Sequence, residues 1–396
     1  MTLDSSTIQI PKRLLMGPGP SEVDPRVYKA MMQPVIGYLD PVLFQILDQL
    51  QDRLRSVFRT RNTVTLPISA TGGAGMEASL YNFIEPGDSV AVLIGGLFAS
   101  RIGDIAGRCG ANVIRIDHSP GKAADLDHVR SVLKGKKLKI LAAVHSETST
   151  GVYQQIEPLR KIADDTGALL LIDTVSSLGG IPVEVDAWGI DICYSGSQKC
   201  LGCPPGLSPI TVSDRAAQAM REKKTPAASW YLDLQLISQY WSKERKYHHT
   251  PPITMLYALN ESLRLLLDEG LEVACERHRR SHLALVEGLS AMGLSMFVED
   301  RAARAWTLNT IRIPKGVDDA KVRVYLLERF GIEIGAGIGD MRGSIWRVGL
   351  LGLTAKAECV LLLLHALESA LIENGFSCNK GAGVAAAEKI YQTAAK

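Results

Sequence analysis

The chain is short of most features that mark a specialised protein class. Charge of either sign is barely in excess: 44 basic and 42 acidic residues leave a net +2 over 396 residues. Such a balance gives nucleic acid or a membrane surface no electrostatic reason to bind, so neither is an expected partner. No apolar run is long enough to span a bilayer. The longest, around Val360 to Leu364, breaks at His365 and Glu368 and suits a buried helix. Met1 to Ile10 lack a basic stretch followed by a hydrophobic core, so no secretory signal is expected. Ala395 and Lys396 at the other end carry no readable address. The seven cysteines are odd in number and scattered, which argues against a disulfide framework and for a reducing cytoplasm. Cys200 and Cys203 form a C-x-x-C, but no second pair stands at a spacing that would complete a metal site. The plain reading is two small residues in a loop.

What is present is a globular composition, 46% hydrophobic and 22% charged, in a chain too long for one core. Leu43, Ile46, Leu47, Leu50, Leu54, Val57 and Phe58 recur at helical spacing. Short β-rich runs follow at Ser89 to Ile94, Val113 to Ile116, Ile140 to His145, Leu169 to Asp173, Ile192 to Tyr194 and Ser208 to Val212. Helical patterns such as Leu126 to Leu133 and Ile156 to Asp165 separate many of them. The alternation predicts an α/β domain around a mostly parallel sheet. From about Glu261 the character changes to long helical patterns, Glu261 to Met292 and Thr354 to Asn374. β-like runs lie between them, around Thr307 to Ile313 and Ile345 to Val348. The expected organisation is an N-terminal arm (1–20), a large α/β domain (21–260), a smaller α+β domain (261–375) and a peripheral tail (376–396).

Chemistry-bearing residues stand at the ends of these runs. Tyr194-Ser195-Gly196-Ser197-Gln198-Lys199 carries a lysine into a turn after a strand, where open α/β sheets place their ligands. A lysine desolvated there can lose its proton and attack an aldehyde. Leu169 to Asp173 ends a nearly apolar strand on a carboxylate, which is costly unless paired. An arginine or a helix N-terminus would serve, and so would a cationic ring nitrogen. Ser69 to Glu77 leads small and hydroxyl residues into a helix, an arrangement that offers free N–H groups to a phosphate, or a plain cap. His145-Ser146-Glu147-Thr148-Ser149-Thr150-Gly151 clusters hydroxyls at another strand end. Arg347, in Trp346-Arg347-Val348-Gly349, sits in an apolar stretch and needs an anion. A substrate carboxylate or a structural ion pair would each satisfy it. Each motif alone is ambiguous. In this order they supply an anion cradle, a partner for a ring nitrogen, an aldehyde-binding amine and a carboxylate clamp.

With those residues in place, the chain resembles the class V, fold type I pyridoxal-phosphate aminotransferases, and within them the alanine/serine–glyoxylate family. The likeness runs from about Leu15 to Ala370. It is carried by Met16-Gly17-Pro18-Gly19-Pro20-Ser21, His145 to Gly151, Leu171 to Gly180, Ser195 to Lys199, Tyr247-His248-His249-Thr250 and Arg347-Val348-Gly349-Leu350. The resemblance implies roles. Lys199 would hold the cofactor aldehyde and Asp173 its ring nitrogen. Thr148 would bond the ring hydroxyl, and Thr71, Gly72, Gly73 and Gln198 the phosphate. Tyr247 and Thr250 would reach the phosphate from a neighbouring subunit, so the active site would be shared in a homodimer. Arg347 would grip the substrate carboxylate, Gly19 would leave room beside it, and Tyr38 would shape the pocket. Phe98 departs from the tryptophan that some relatives stack on the ring, and offers less area. His248 and His249 are expected to shape the dimer-spanning loop, with no metal. His145 is an outside candidate for a base.

The function implied is transfer of an amino group from alanine or serine to glyoxylate, giving glycine and a 2-oxo acid. S-ureidoglycine is an alternative donor. Two rivals stand beside it. Sulfur removal from cysteine would need a mobile catalytic cysteine loop. A non-catalytic subunit or binding protein would keep the fold without the chemistry, against which Lys199, Asp173 and Arg347 together argue.

Overall fold

The computed structural model describes residues 8–393. The start of the expected arm (1–7) and the end of the expected tail (394–396) lie outside that range. The β-rich runs pair into one seven-stranded sheet. Its strands are β1 (Val64–Ile68), β2 (Ser89–Ile94), β3 (Asn112–Asp117), β4 (Ile140–Val144), β5 (Leu169–Asp173), β6 (Ile192–Tyr194) and β7 (Ser208–Val212). The spatial order is β1-β7-β6-β5-β4-β2-β3. β7 runs antiparallel to both its neighbours, and the remaining pairs are parallel. The central strands read as continuous apolar runs because both of their faces are covered; every residue of β4, β5 and β7 is buried. β1 was absent from the sequence expectation. It contains Pro67, which demotes a run as a strand signal, and it forms an edge of the sheet, where proline is tolerated.

The helix Pro41–Phe58 starts where Asp40 accepts from Val42 N at 2.8 Å and proline takes the first turn. Its stripe Leu43, Leu47, Leu50 and Leu54 is fully buried. A first hydrophobic core runs from Val27 to Ala274. A second joins Met16 to residues from Ala284 to Ala387. The expected boundary at 260/261 falls inside the helix Ile253–Glu269, whose buried face belongs to the first core. Gly270 ends that helix, and Leu271–Ala291 begins the next.

The second half has a three-stranded antiparallel sheet, Leu308–Arg312, Ile345–Gly349 and Gly335–Ala336. Leu14–Leu15 of the expected arm pairs with Ile332–Glu333, tying the arm to this half. The expected tail contains a docked helix, Ala382–Thr393, packed on Leu271–Ala291. A Cβ on Gly288 would sit 2.9 Å from Gly383 O, so the two helices meet at glycine. Contact through such small residues leaves little apolar periodicity to read. Tyr391 adds a hydroxyl bond to Ser281 at 3.1 Å and lies under Arg280.

Candidate active site

Strand register sets the site. Val144, Asp173 and Tyr194 are neighbours across β4, β5 and β6, at the carboxyl ends of all three strands. Beyond Tyr194 the chain turns toward Lys199 and is held there by several bonds. Ser197 N donates to Leu207 O at 3.0 Å, and Ser21 closes on the turn from the arm, with its N on Gln198 O and its Oγ on Lys199 O. Lys199 Nζ donates to Pro18 O. Gly19 follows at φ +116°, and a Cβ there would lie 2.9 Å from Lys199 Cε. Glycine is needed for both the backbone angle and the space. Burial pushes the Lys199 ammonium down to about 8, and nearby Arg347 pushes the same way.

Asp173 is 3% exposed. Its Oδ1 accepts from Val175 N at 2.8 Å and its Oδ2 from the Tyr194 hydroxyl at 2.6 Å. Burial raises its carboxyl to about 6, against the pull of those two donors.

The helix Gly72–Tyr81 points its N-terminus into the same space. Thr71 stands at the cap without a side-chain bond, and a Cβ on Gly73 would meet nothing within 4 Å. Free N–H groups at an open helix start suit an anion. Gln198, at the edge of this space, leaves one end of its side-chain amide buried without a protein partner. Turned the other way, the same amide would present its NH2 to this space.

The opposite wall is built on Glu147. Its buried carboxylate accepts from Phe98 N and Ala99 N, each at 3.1 Å, and from Ser149 Oγ at 2.6 Å. A negative group at the start of the helix Leu97–Arg108 is favourable. The clasp fastens the loop that carries Thr148 to the helix that carries Phe98. Arg101 lies over the Phe98 ring, 5.2 Å from its centroid.

Thr71, Gly72, Gly73, Phe98, Thr148, Asp173, Gln198 and Lys199 thus line one cavity of about 290 Å³. Arg347 reaches toward it from the smaller half. It is 8% exposed and bonds two backbone carbonyls, Ala336 O at 2.7 Å and Thr148 O at 3.2 Å. No carboxylate among the described residues pairs with it. Burial pushes its guanidinium downward, and Glu147 opposes that shift.

Tyr38, Tyr247 and Thr250 do not line this cavity. They gather elsewhere: the rings of Tyr38 and Tyr247 stand 4.8 Å apart, and the hydroxyls of Tyr247 and Thr250 are 3.2 Å apart. Tyr247 is 52% exposed. Beside it His248 stacks on Trp230, and His249 bonds Ser69 Oγ at 2.7 Å. His145 does not line the cavity. It pairs with Ser177 Oγ at 2.9 Å between the rings of Tyr153 and Trp188, and burial pushes its imidazole down to about 3. A neutral, enclosed ring is poorly placed to act as a base. Cys200 and Cys203 are buried free thiols, and burial pushes Cys200 up to about 12. Neither is a mobile nucleophile.

The site residues that sequence reasoning missed are Tyr194 and the clasping role of Glu147. Tyr194 carried one signal, because it closes a strand-like run beside the run that ends in Asp173.

An α/β sheet with a lysine, a carboxylate and an anion cradle at its strand ends is the fold type I architecture. The family model "Aminotransferase class-V" matches residues 36–341, and the chain belongs to this family. It is 40% identical to the (S)-ureidoglycine–glyoxylate transaminase of Bacillus subtilis, covering 98% of this chain and 97% of that one. It is 41% identical to the alanine–glyoxylate aminotransferase of Callithrix jacchus, over 92% of this chain and 89% of that one. The solved structure of an alanine–glyoxylate aminotransferase from Nostoc sp. superposes with TM-score 0.91 at 45% identity, covering 93% of this chain and 98% of that one. The chain is therefore an aminotransferase, a class whose chemistry runs on pyridoxal phosphate.

Proposed function

We propose that this enzyme moves an amino group from a small amino acid, alanine or serine, to glyoxylate, giving glycine and a 2-oxo acid. The observation that carries the proposal is Arg347, a buried guanidinium that no acid among the described residues pairs with, beside a lysine whose charge it helps to suppress. An arginine in that state can receive a carboxylate through paired N–H groups. Relatives that act on alanine and glyoxylate support the substrates. The relative that acts on ureidoglycine supports S-ureidoglycine as a second donor.

The residues present fit pyridoxal phosphate. Thr71, Gly72, Gly73 and Gln198 would hold its phosphate at the helix start. Phe98 would stack on the ring, Thr148 would meet the ring hydroxyl, and Asp173 would pair with the ring nitrogen. The bound cofactor supplies an aldehyde that captures amines and a cationic ring that draws electrons away.

The chain's own residues do the rest. Arg347 binds the donor carboxylate and fixes the α-carbon against the lysine. Lys199 Nζ, with its lowered proton affinity, takes the α-proton and holds it for return. Asp173 keeps a negative charge where a protonated nitrogen needs one. The same arginine then orients glyoxylate, so one pocket serves both acids in turn.

The proposal extends to a cytoplasmic homodimer. Tyr247 and Thr250 are exposed and stand outside this chain's own cavity, which suits residues that complete the phosphate site of a second copy. The test of the catalytic assignment is Lys199→Ala. It should abolish turnover, and steady transamination by that variant would sink the assignment.

A further inference from the structure

Tyr194 stands directly across from Asp173 in the parallel pairing of β5 and β6. Both are buried, and the phenol donates to Asp173 Oδ2 at 2.6 Å. The base of its side chain is also built in. A Cβ on Gly75 would fall 3.3 Å from Tyr194 Cβ, so the helix that starts the phosphate cradle rides on this residue. Tyr194 thus touches the carboxylate and the cradle helix, on the strand that leads to Lys199.

We propose, resting on the cofactor reading above, that Tyr194 is a positioning residue for Asp173: its phenol fixes one carboxylate oxygen and holds Asp173 in the charged form that a protonated ring nitrogen requires.

The proton belongs on the phenol. Burial and the adjacent carboxylate push the Tyr194 hydroxyl well above its ordinary value, so it remains a donor. The groups acting on Asp173 do not all agree. Burial and the negative Glu147 favour its protonated form, whereas Tyr194, Val175 N–H and Lys199 favour the carboxylate. Cys193, pushed up to about 12, and His145, pushed down to about 3, stay neutral nearby. Among these donors Tyr194 is a side chain that can be removed without changing the backbone. A hydrogen bond to a charged group is strong enough to move such a balance by about one pH unit.

The test is Tyr194→Phe, which keeps the ring and removes only the hydroxyl. Protein stripped of cofactor is titrated with pyridoxamine phosphate, which forms no imine with Lys199, between about pH 5 and 9, read by tryptophan fluorescence. In the wild type, affinity falls as acid protonates Asp173. In Tyr194→Phe the acid limb should move up by about one pH unit, while affinity at the alkaline end holds. An unmoved acid limb overturns the inference. The same change in an Asp173→Asn background should shift nothing, and a shift there also overturns it, because the phenol would then act elsewhere. Wild-type protein that takes up no cofactor at any pH would instead overturn the functional reading on which the inference rests.

Discussion

Arg347 Nη1 donates to the carbonyl of Thr148 at 3.2 Å, so the arginine of the smaller half meets the hydroxyl loop of the larger half at one point. A second bond, Nε to Ala336 O, sets the plane of the guanidinium from behind. The side chain is therefore oriented before any substrate arrives, and its remaining N–H groups are unspent.

From this follows the first expectation. Arg347→Ala should raise KM for both the amino donor and the 2-oxo acid by about ten- to a hundredfold. Arg347→Lys should recover little, because a point charge lacks the planar fork. Steady-state kinetics check it, and an unchanged KM for either acid removes the proposed role.

The lowered Lys199 ammonium sets a pH dependence. Its value in the folded protein is about 8, against an ordinary 10.5. The neutral amine, the form that adds to an aldehyde, therefore dominates above pH 8 and is lost as pH falls below it. The rate at which stripped protein takes up pyridoxal phosphate should drop about tenfold per pH unit on the acid side and level off on the alkaline side. Stopped-flow absorbance gives this profile. A rate still rising steeply near pH 10 would mean that the lysine keeps its ordinary proton affinity.

Sharing of the site between two copies is tested by mixing defects. Lys199→Ala and Tyr247→Ala should each be inactive or nearly so as homodimers. Co-expressed, they should form some heterodimers in which one pocket holds both an intact Lys199 and an intact Tyr247. Partial recovery of activity in the purified hybrid supports the shared site. No recovery in a verified hybrid places Tyr247 outside it.

Much of this site is legible in the sequence because its parts stand at strand ends. Asp173 and Lys199 each follow an apolar run, and Thr71 to Gly73 open a helix, so local pattern reveals them. Asp173 and Lys199 converge because β5 and β6 are parallel neighbours, whereas Thr71 to Gly73 follow β1 and reach the same end of the sheet only because antiparallel β7 lies between β1 and β6. Tyr194 was hidden for a different reason. A tyrosine ending a strand reads as core, and its hydroxyl bond depends on cross-strand register, which no single run encodes. The Glu147 clasp depends likewise on a helix start more than forty residues away in sequence. Proline hid β1, and small residues hid the docked helix Ala382–Thr393. In both cases packing decided against the local signal.

The central claim, amino transfer to glyoxylate, is tested most directly by a half-reaction watched by absorbance. Protein loaded with pyridoxal phosphate is mixed in turn with alanine, serine, S-ureidoglycine and cysteine, without any acceptor. Alanine or serine should convert the cofactor from its aldehyde form to its amine form, and glyoxylate should reverse the change. Conversion by S-ureidoglycine alone would move the donor to the second reading. No conversion by any donor despite bound cofactor, or sulfide released from cysteine, would contradict the account.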